Sequence, residues 1–235
     1  MPSADAGAQR LSVVIPVLND RNALVRLLGD LQWLRSAGHQ LIVVDGGSGD
    51  GSLGSAQALA DRVMISQAGR ATQMNAGAAI VNTSHIWFLH ADTRVSRQAC
   101  ECLLQVIRAS SEPCWGRFNV RLDDADYVFR VISFFMNVRS CVSGVATGDQ
   151  GIFVHRRLFQ MVDGFPRIAL MEDIALSKQL RRTMRPRCLR EPLQVSARRW
   201  REHGIVKTVL LMWGLRLLYV VGMSPKVLHG WYYRR

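Results

Sequence analysis

Within its first hundred residues the chain repeats one unit three times: a short β-branched run, a polar turn, and a stretch with apolar residues at helical spacing. In the first copy, "LSVVIPVLN" is stopped by Pro16 and Asn19. "DRNALVRLLGDLQWL" then sets Leu24, Leu27, Leu28, Leu31 and Leu34 on one helical face. The second copy runs from "HQLIVV" through Asp45 and the glycine-rich "GGSGDG" into the helical "LGSAQALAD". The third joins "RVMISQ" to "GRATQMNAGAAIV", and "SHIWFLHADT" follows as a fourth strand. Strands alternating with helices predict an α/β fold with a mostly parallel sheet and right-handed crossovers. In such sheets ligands bind at the carboxyl ends of the strands, the rim on which Asn19, Asp45 and Asp92 should fall.

Length and composition narrow the architecture. A chain of 235 residues suits one domain. We divide it into a flexible lead-in at 1–10, a main domain at 11–200 and a basic, apolar tail at 201–235. No basic segment followed by an apolar one opens the sequence, so a cytoplasmic protein is expected. Five scattered cysteines without C-x-x-C spacing argue against a disulfide framework and against a zinc site. "GGSGDG" lacks the Gly-Lys-Ser/Thr of a phosphate-binding loop and fits G-x-G-x-x-G poorly.

Past residue 125 the pattern changes. "DYVFRVISFFMNVRS" carries Tyr127, Val131, Phe134, Phe135 and Val138 on one helical stripe. The stripe predicts a helix packed on the core, the other reading being a lid over an apolar acceptor. "MEDIALSKQL" opens a helix with Glu172 and Asp173. Acids there suit the helix dipole, and a substrate above the helix end would find a general base.

The carboxylates suggest group transfer from a diphosphate. Hard cations bind oxygen ligands and neutralise a departing diphosphate, and Asp92 supplies such a ligand. Asp45, on another strand, could accept an N–H from a nucleotide base. Asp173 could take the proton of an incoming hydroxyl.

"LSVVIPVLND", "LIVVDGGSGDGS", "GRATQMNAGA", "FLHADT", "GDQGIF" and "MEDIALSKQL", in that order, resemble the motif series of the family-2 glycosyltransferases over roughly residues 11–200. Within that family "GRATQMN", "LHADT", "GDQ" and "RRW" most resemble a small bacterial group labelled arsenosugar-biosynthesis glycosyltransferases, a label from which we infer no arsenic chemistry. The resemblance implies a single nucleotide-diphospho-sugar transferase domain of the A-type glycosyltransferase fold, with a nucleotide-binding half, 11–95, and an acceptor half, 96–200. It also implies a hexosyltransferase-like activity, a nucleotide-diphospho-sugar donor and Mn²⁺ or Mg²⁺. By position it implies that Asp45 contacts the base, with Pro16 and Asn19 in the loop lining it. Arg70, Gln73 and Asn75 would belong to the segment closing over the nucleotide. Asp92 would bind the metal, and Asp173, with Glu172 beside it, would be the base of an inverting displacement. Asp149 and Gln150 would contact acceptor or donor sugar, Asp149 being also the nominal nucleophile of a retaining route. Where many members have an aspartate two positions before the metal ligand, this chain has His90, which could bind Mn²⁺, hydrogen-bond the ribose, or simply bond to backbone at a strand end.

Net charge is +12, and its distribution is uneven. Residues 1–175 hold 16 basic and 16 acidic residues, whereas residues 176–235 hold 14 basic residues against Glu191 and Glu202 alone. Arg198, Arg199 and Trp200 resemble the R-W element that processive members place near the acceptor, where the arginines could hold diphosphate charge. His203 reads as structural or as a late metal ligand. From Thr208 to Met223 the chain is apolar apart from Arg216, short of the roughly 20 residues a spanning helix needs. We expect a helix on the bilayer surface or packed on the domain. Aromatics interleaved with Lys207, Arg216 and Lys226 suit an anionic membrane surface and a lipid-linked acceptor. Nucleic acid is not expected, because the tail is too apolar for a wet groove and carries no nucleic-acid motif. The alternatives to a glycosyltransferase are a nucleotidyltransferase on a similar sheet, or a non-catalytic protein binding sugar nucleotides or anionic lipids.

Overall fold

The computed structural model describes residues 10–233, so the lead-in at residues 1–9 and the final Arg234 and Arg235 lie outside the described residues. Strand β1 (Leu11–Val17) is buried along its whole length and lies between β2 (Gln40–Asp45) and the short β4 (His85–Phe88), parallel to both. The amphipathic α1 (Arg21–Ser36) makes the first crossover and buries all five leucines of its predicted face. Each such side chain contributes roughly 2 kcal/mol. Helix α2 (Ser52–Leu59) leads to β3 (Arg62–Ile65), parallel to β2, and α3 (Arg70–Ala79) returns the chain to β4.

Beyond β4 the sheet becomes mixed. Helix α4 (Arg97–Ala109) precedes β5 (Trp115–Leu122), and α5 (Tyr127–Ser143) is followed by a single 3-10 turn, Gly148–Gln150. Strand β6 (Phe153–His155) then inserts antiparallel between β4 and β5. Helices α6 (Arg156–Met161) and α7 (Glu172–Thr183) follow, and β7 (Arg187–Val195) completes the sheet parallel to β5. The seven strands run in the order β3-β2-β1-β4-β6-β5-β7. One core layer lies under α1 and α4, the other under α3 and α7. This is the mixed, mostly parallel A-type glycosyltransferase fold that the motif series implied.

Two expectations need correction. Pro16 does not end β1 but lies buried within it, opposite Val44. A proline is tolerated there because β4 has its last partner at Val14, so no strand faces the side on which the missing N–H would point. The stripe on α5 is not a core face. Tyr127 is 76% exposed, and Phe134, Phe135 and Val138 are exposed as well, whereas Phe129, Ser133 and Ser140 turn inward. Ser133 binds the Leu122 N–H and Asn137 brackets Val120, so polar residues dock this helix on β5 and its apolar stripe faces out.

The apolar run of the tail forms α9 (Ile205–Val220), preceded by the short α8 (Arg198–His203) and followed by α10 (Pro225–Tyr233). Leu215 and Leu228 pack with Leu170, Met171 and Ile174 at the start of α7. The other side of α9 leaves Val206, Leu210, Trp213, Leu217 and Val220 exposed. Among the described residues no helix is long and apolar enough to cross a membrane.

Candidate active site

The carboxyl ends of β1, β2 and β4 form one rim. At its edge Asp45 is buried as the last residue of β2. Its Oδ1 accepts the N–H groups of Gly47 and Ser48 at 2.7 and 2.6 Å, which curls the glycine-rich turn around it. Its Oδ2 is buried with no partner among the described residues. Asn19 adopts the left-handed conformation, φ 52°. Its side chain accepts from the Gly49 N–H at 2.9 Å while its own N–H donates to Ser48 Oγ, tying the loops after β1 and β2 together.

Two residues of the expected nucleotide-closing segment are committed to the scaffold instead. Gln73 is buried, and its Nε2 donates at 2.8 Å to both Val17 O and Val44 O, stapling β1 to β2 where their ladder ends. Asn75 donates to Phe165 O and accepts from Phe165 N–H, clamping the segment before α7. Arg70, the first residue of α3, does face the site.

Next to this rim lies a cavity of about 490 Å³. Arg70, His90, Asp92, Asp149, Glu172 and Asp173 line its polar end. The 3-10 turn organises them. The Gly148 N–H donates to Asp173 Oδ2 at 2.6 Å, while Asp173 Oδ1 accepts from the Ile174 N–H at 2.7 Å. The next residue, Asp149, faces His90, with Oδ1 and Nδ1 3.3 Å apart. Enclosure works to raise the Asp149 carboxyl, but the His90 hydrogen bond and charge outweigh it and hold that group below the ordinary carboxylate range. His90 is buried and bonds to a carboxylate rather than to backbone; its Nε2 has no partner among the described residues. Gly148 is required here because a Cβ would overlap the His90 ring. Gln150 is buried and closes the turn, accepting the Thr147 N–H, and does not line the cavity.

Met171 turns the chain into α7 with φ 69°, a conformation that costs a residue with a side chain roughly 1–2 kcal/mol, and so places both acids at the cavity. Glu172 is buried, and burial together with the adjacent Asp173 charge pushes its carboxyl up to about 7.

Three further residues belong to the site. Asp20 follows Asn19 at the end of β1, and its carboxyl is raised by burial and by the charge of Asp92. "PVLND" could have revealed it, since its acid adjoins a residue already assigned to the rim. Arg139 of α5 and Arg216 of α9 line the cavity opposite Asp173. Arg216 had a visible signal as the single charge in the apolar run, whereas nothing in the sequence distinguishes Arg139 from a solvated arginine.

The basic motif after β7 divides. Arg199 stacks on Tyr232, with its guanidinium carbon 3.6 Å from the ring centre, and lines the cavity with Trp200. Arg198 does not line the cavity; it lies 3.9 Å from Glu202, and its charge acts on Asp20. His203 ends α8 outside the cavity. Among the described residues no three His, Cys, Asp or Glu side chains converge as a metal cage. Small divalent cations are commonly held by one or two carboxylates plus substrate phosphates, and Asp92, which lines the cavity, supplies one such carboxylate.

Solved structures with this architecture include S. aureus TarS, with a TM-score of 0.63 and 14% identity over 80% of this chain and 60% of that one. The mannosyltransferase PcManGT of Pyrobaculum calidifontis, solved with GDP-Man and Mn²⁺, gives 0.60 and 17% over 80% and 56%. Glucosyl-3-phosphoglycerate synthase of Mycobacterium tuberculosis, solved with Mn²⁺, UDP and phosphoglyceric acid, gives 0.60 and 17% over 82% and 71%. At these identities the likeness concerns the fold, and the chain spans 60% or less of the length of the first two. Comparison with functionally curated proteins gives no match. Residues 12–157, well over half of the chain and including β1 through β6, match the model described as Glycosyl transferase family 2, and the protein therefore belongs to that family.

Proposed function

We propose that the protein transfers a hexose from a nucleotide-diphospho-sugar to the hydroxyl of a lipid-linked acceptor, with inversion at the anomeric carbon. The observation that carries this reading is the Asp173 carboxylate, anchored by two backbone N–H groups in a cavity shared with Asp92, Arg70 and the nucleotide rim. Asp45 Oδ2 is the acceptor for a base-edge donor, and Arg70 is placed to meet the diphosphate. A carboxylate keeps free lone pairs beyond those its two anchors use, so Asp173 can still take the acceptor proton. Glu172, carrying a proton near neutrality, supplies an uncharged neighbour and spares the site a second negative charge.

Asp92 and Asp20 are the residues to hold Mn²⁺ or Mg²⁺, which when bound neutralises charge on the departing diphosphate. His90 is turned toward Asp149, so its part is to position that carboxylate over the cavity, where a donor sugar or acceptor hydroxyl would be held. The ligands bound in the mannosyltransferase and phosphoglycerate synthase structures, a nucleotide or nucleotide-sugar with Mn²⁺, support the same donor class and metal. Within the family we place the chain in the group labelled arsenosugar-biosynthesis glycosyltransferases, on its motif series alone.

The exposed apolar stripes of α5 and α9 flank the cavity, because both helices also contribute lining residues. They support peripheral attachment at the cytoplasmic face of a membrane, with the acceptor entering from the lipid. The test is a panel of nucleotide-sugars with Mn²⁺ or Mg²⁺, following nucleoside diphosphate release by wild type, Asp92→Ala and Asp173→Asn. One donor hydrolysed slowly by wild type and spared by Asp92→Ala supports the reading. A donor that binds all three proteins equally and is cleaved by none overturns it.

A further inference from the structure

The cavity has a second charged feature that donor chemistry leaves unused. Arg139 and Arg216 line it from two different helices. The Arg139 Nε and Nη2 are buried without a partner among the described residues, and its one hydrogen bond, to Val145 O, is long at 3.5 Å. Buried guanidinium donors left unpaired are costly, and two like charges facing each other add repulsion. Burial and the charge of Arg216 together lower Arg139 to about 10. Arg216 is likewise lowered by burial, against the pull of Asp173 and Asp149. An anion held between the two would offset their mutual repulsion.

The surroundings say what carries that anion. Val131, Phe135 and Met136 of α5 face Met212 and Trp213 of α9 across the same cavity. Phe135 is 63% and Trp213 66% exposed, so this apolar wall runs without a break onto the outer surface of both helices. A hydrocarbon chain laid along it would leave the protein where the exposed stripes begin.

We infer that Arg139 and Arg216 form the acceptor's phosphate subsite, and that the acceptor is a phospholipid whose headgroup bears a hydroxyl. The phosphate sits between the two guanidiniums, the acyl chains follow the α5–α9 wall outward, and the headgroup hydroxyl reaches inward to Asp173. This subsite rests on the glycosyltransferase reading for its purpose but not for its detection.

The test measures binding to the full-length chain through the change in tryptophan fluorescence, Trp200 and Trp213 being the two of six tryptophans that line the cavity, with dihexanoylphosphatidylglycerol as probe. Dihexanoylphosphatidylcholine, glycerol 3-phosphate and inorganic phosphate serve as comparisons. Phosphatidylglycerol should bind at least tenfold more tightly than any of the three. Arg139→Gln and Arg216→Gln should each weaken it tenfold or more, while the Lys variants keep part of the affinity and show that folding is intact. Nucleoside diphosphate affinity should fall far less than lipid affinity in these variants. Equal lipid binding by wild type and both Gln variants overturns the subsite. So does a parallel loss of nucleoside diphosphate affinity, which would assign the arginines to the donor. Binding of glycerol 3-phosphate as tight as that of the lipid overturns the lipid source. Absence of donor hydrolysis with lipid binding intact would sink the transferase reading and leave the subsite standing.

Discussion

The backbone N–H of Gly148 donates to the side chain of Asp173 at 2.6 Å, so a residue from the turn before β6 fixes the carboxylate that opens α7. The same turn holds His90 through Asp149, which makes three residues the organiser of both acid groups in the cavity.

Asp173→Asn should keep one anchor to the turn while removing the basic oxygen. We expect the transfer rate to fall by roughly 10²–10⁴-fold with donor affinity little changed. Steady-state release of nucleoside diphosphate, with and without acceptor, checks this; unaltered turnover would move the role of base to Glu172.

Gly148→Ala places a methyl group on the His90 ring. Ring or turn must shift, at a cost of about 1–3 kcal/mol. The melting temperature should drop by several degrees and turnover should fall further than stability does, because Asp173 loses its aim. Normal turnover in a destabilised variant would show the turn to be scaffold only.

Glu172 gives stability a pH dependence whose sign follows from its raised carboxyl. The unfolded chain releases this proton near 4.5 and the folded one near 7, so stability is greatest below about 4.5 and declines as pH rises through about 7. Glu172→Gln should flatten that decline and gain on the order of 3 kcal/mol at pH 8 relative to wild type. Denaturant midpoints at pH 5 and pH 8 measure both arms.

Asn75→Ala should destabilise the protein by about 1–3 kcal/mol without weakening nucleoside diphosphate binding, since both polar atoms of Asn75 bond to the Phe165 backbone. Calorimetric titration beside a thermal melt separates the two effects. Lost nucleotide affinity at unchanged stability would return Asn75 to the nucleotide segment.

Phe134→Asp and Leu217→Asp alter the exposed stripes of α5 and α9 without touching the cavity lining. Sedimentation with vesicles of anionic phospholipid should fall at least fivefold for each, while donor hydrolysis in solution is retained. Wild-type sedimentation by both variants would remove the membrane from the account.

The parts of the fold that could be read from the sequence are those where local pattern and tertiary burial agree. The leucines of α1 and the β-branched run of β1 say the same thing at both levels, and β2, β3 and α3 follow. The α5 stripe misled because a 3.6-residue period identifies a face and not its partner; Ser133 and Asn137, polar and off the stripe, dock the helix. Gln73 and Asn75 stand in a motif that reads as ligand contact, yet amides suit unpaired backbone equally well, and only the geometry shows Val17, Val44 and Phe165 as their partners. Asp20 and Arg139 were missed because their proximity to Asp92 and Arg216 links elements far apart in the chain.

The Gln73 staple sets a kinetic expectation for the rim. With the ends of β1 and β2 already tied by a side chain, these two strand ends need not order themselves around an arriving nucleotide, which lowers the entropic penalty of binding. Association should then proceed in one phase at a rate proportional to donor concentration, without the saturation that a slow rearrangement imposes. Gln73→Ala, by freeing the two strand ends, would introduce that second, concentration-independent phase.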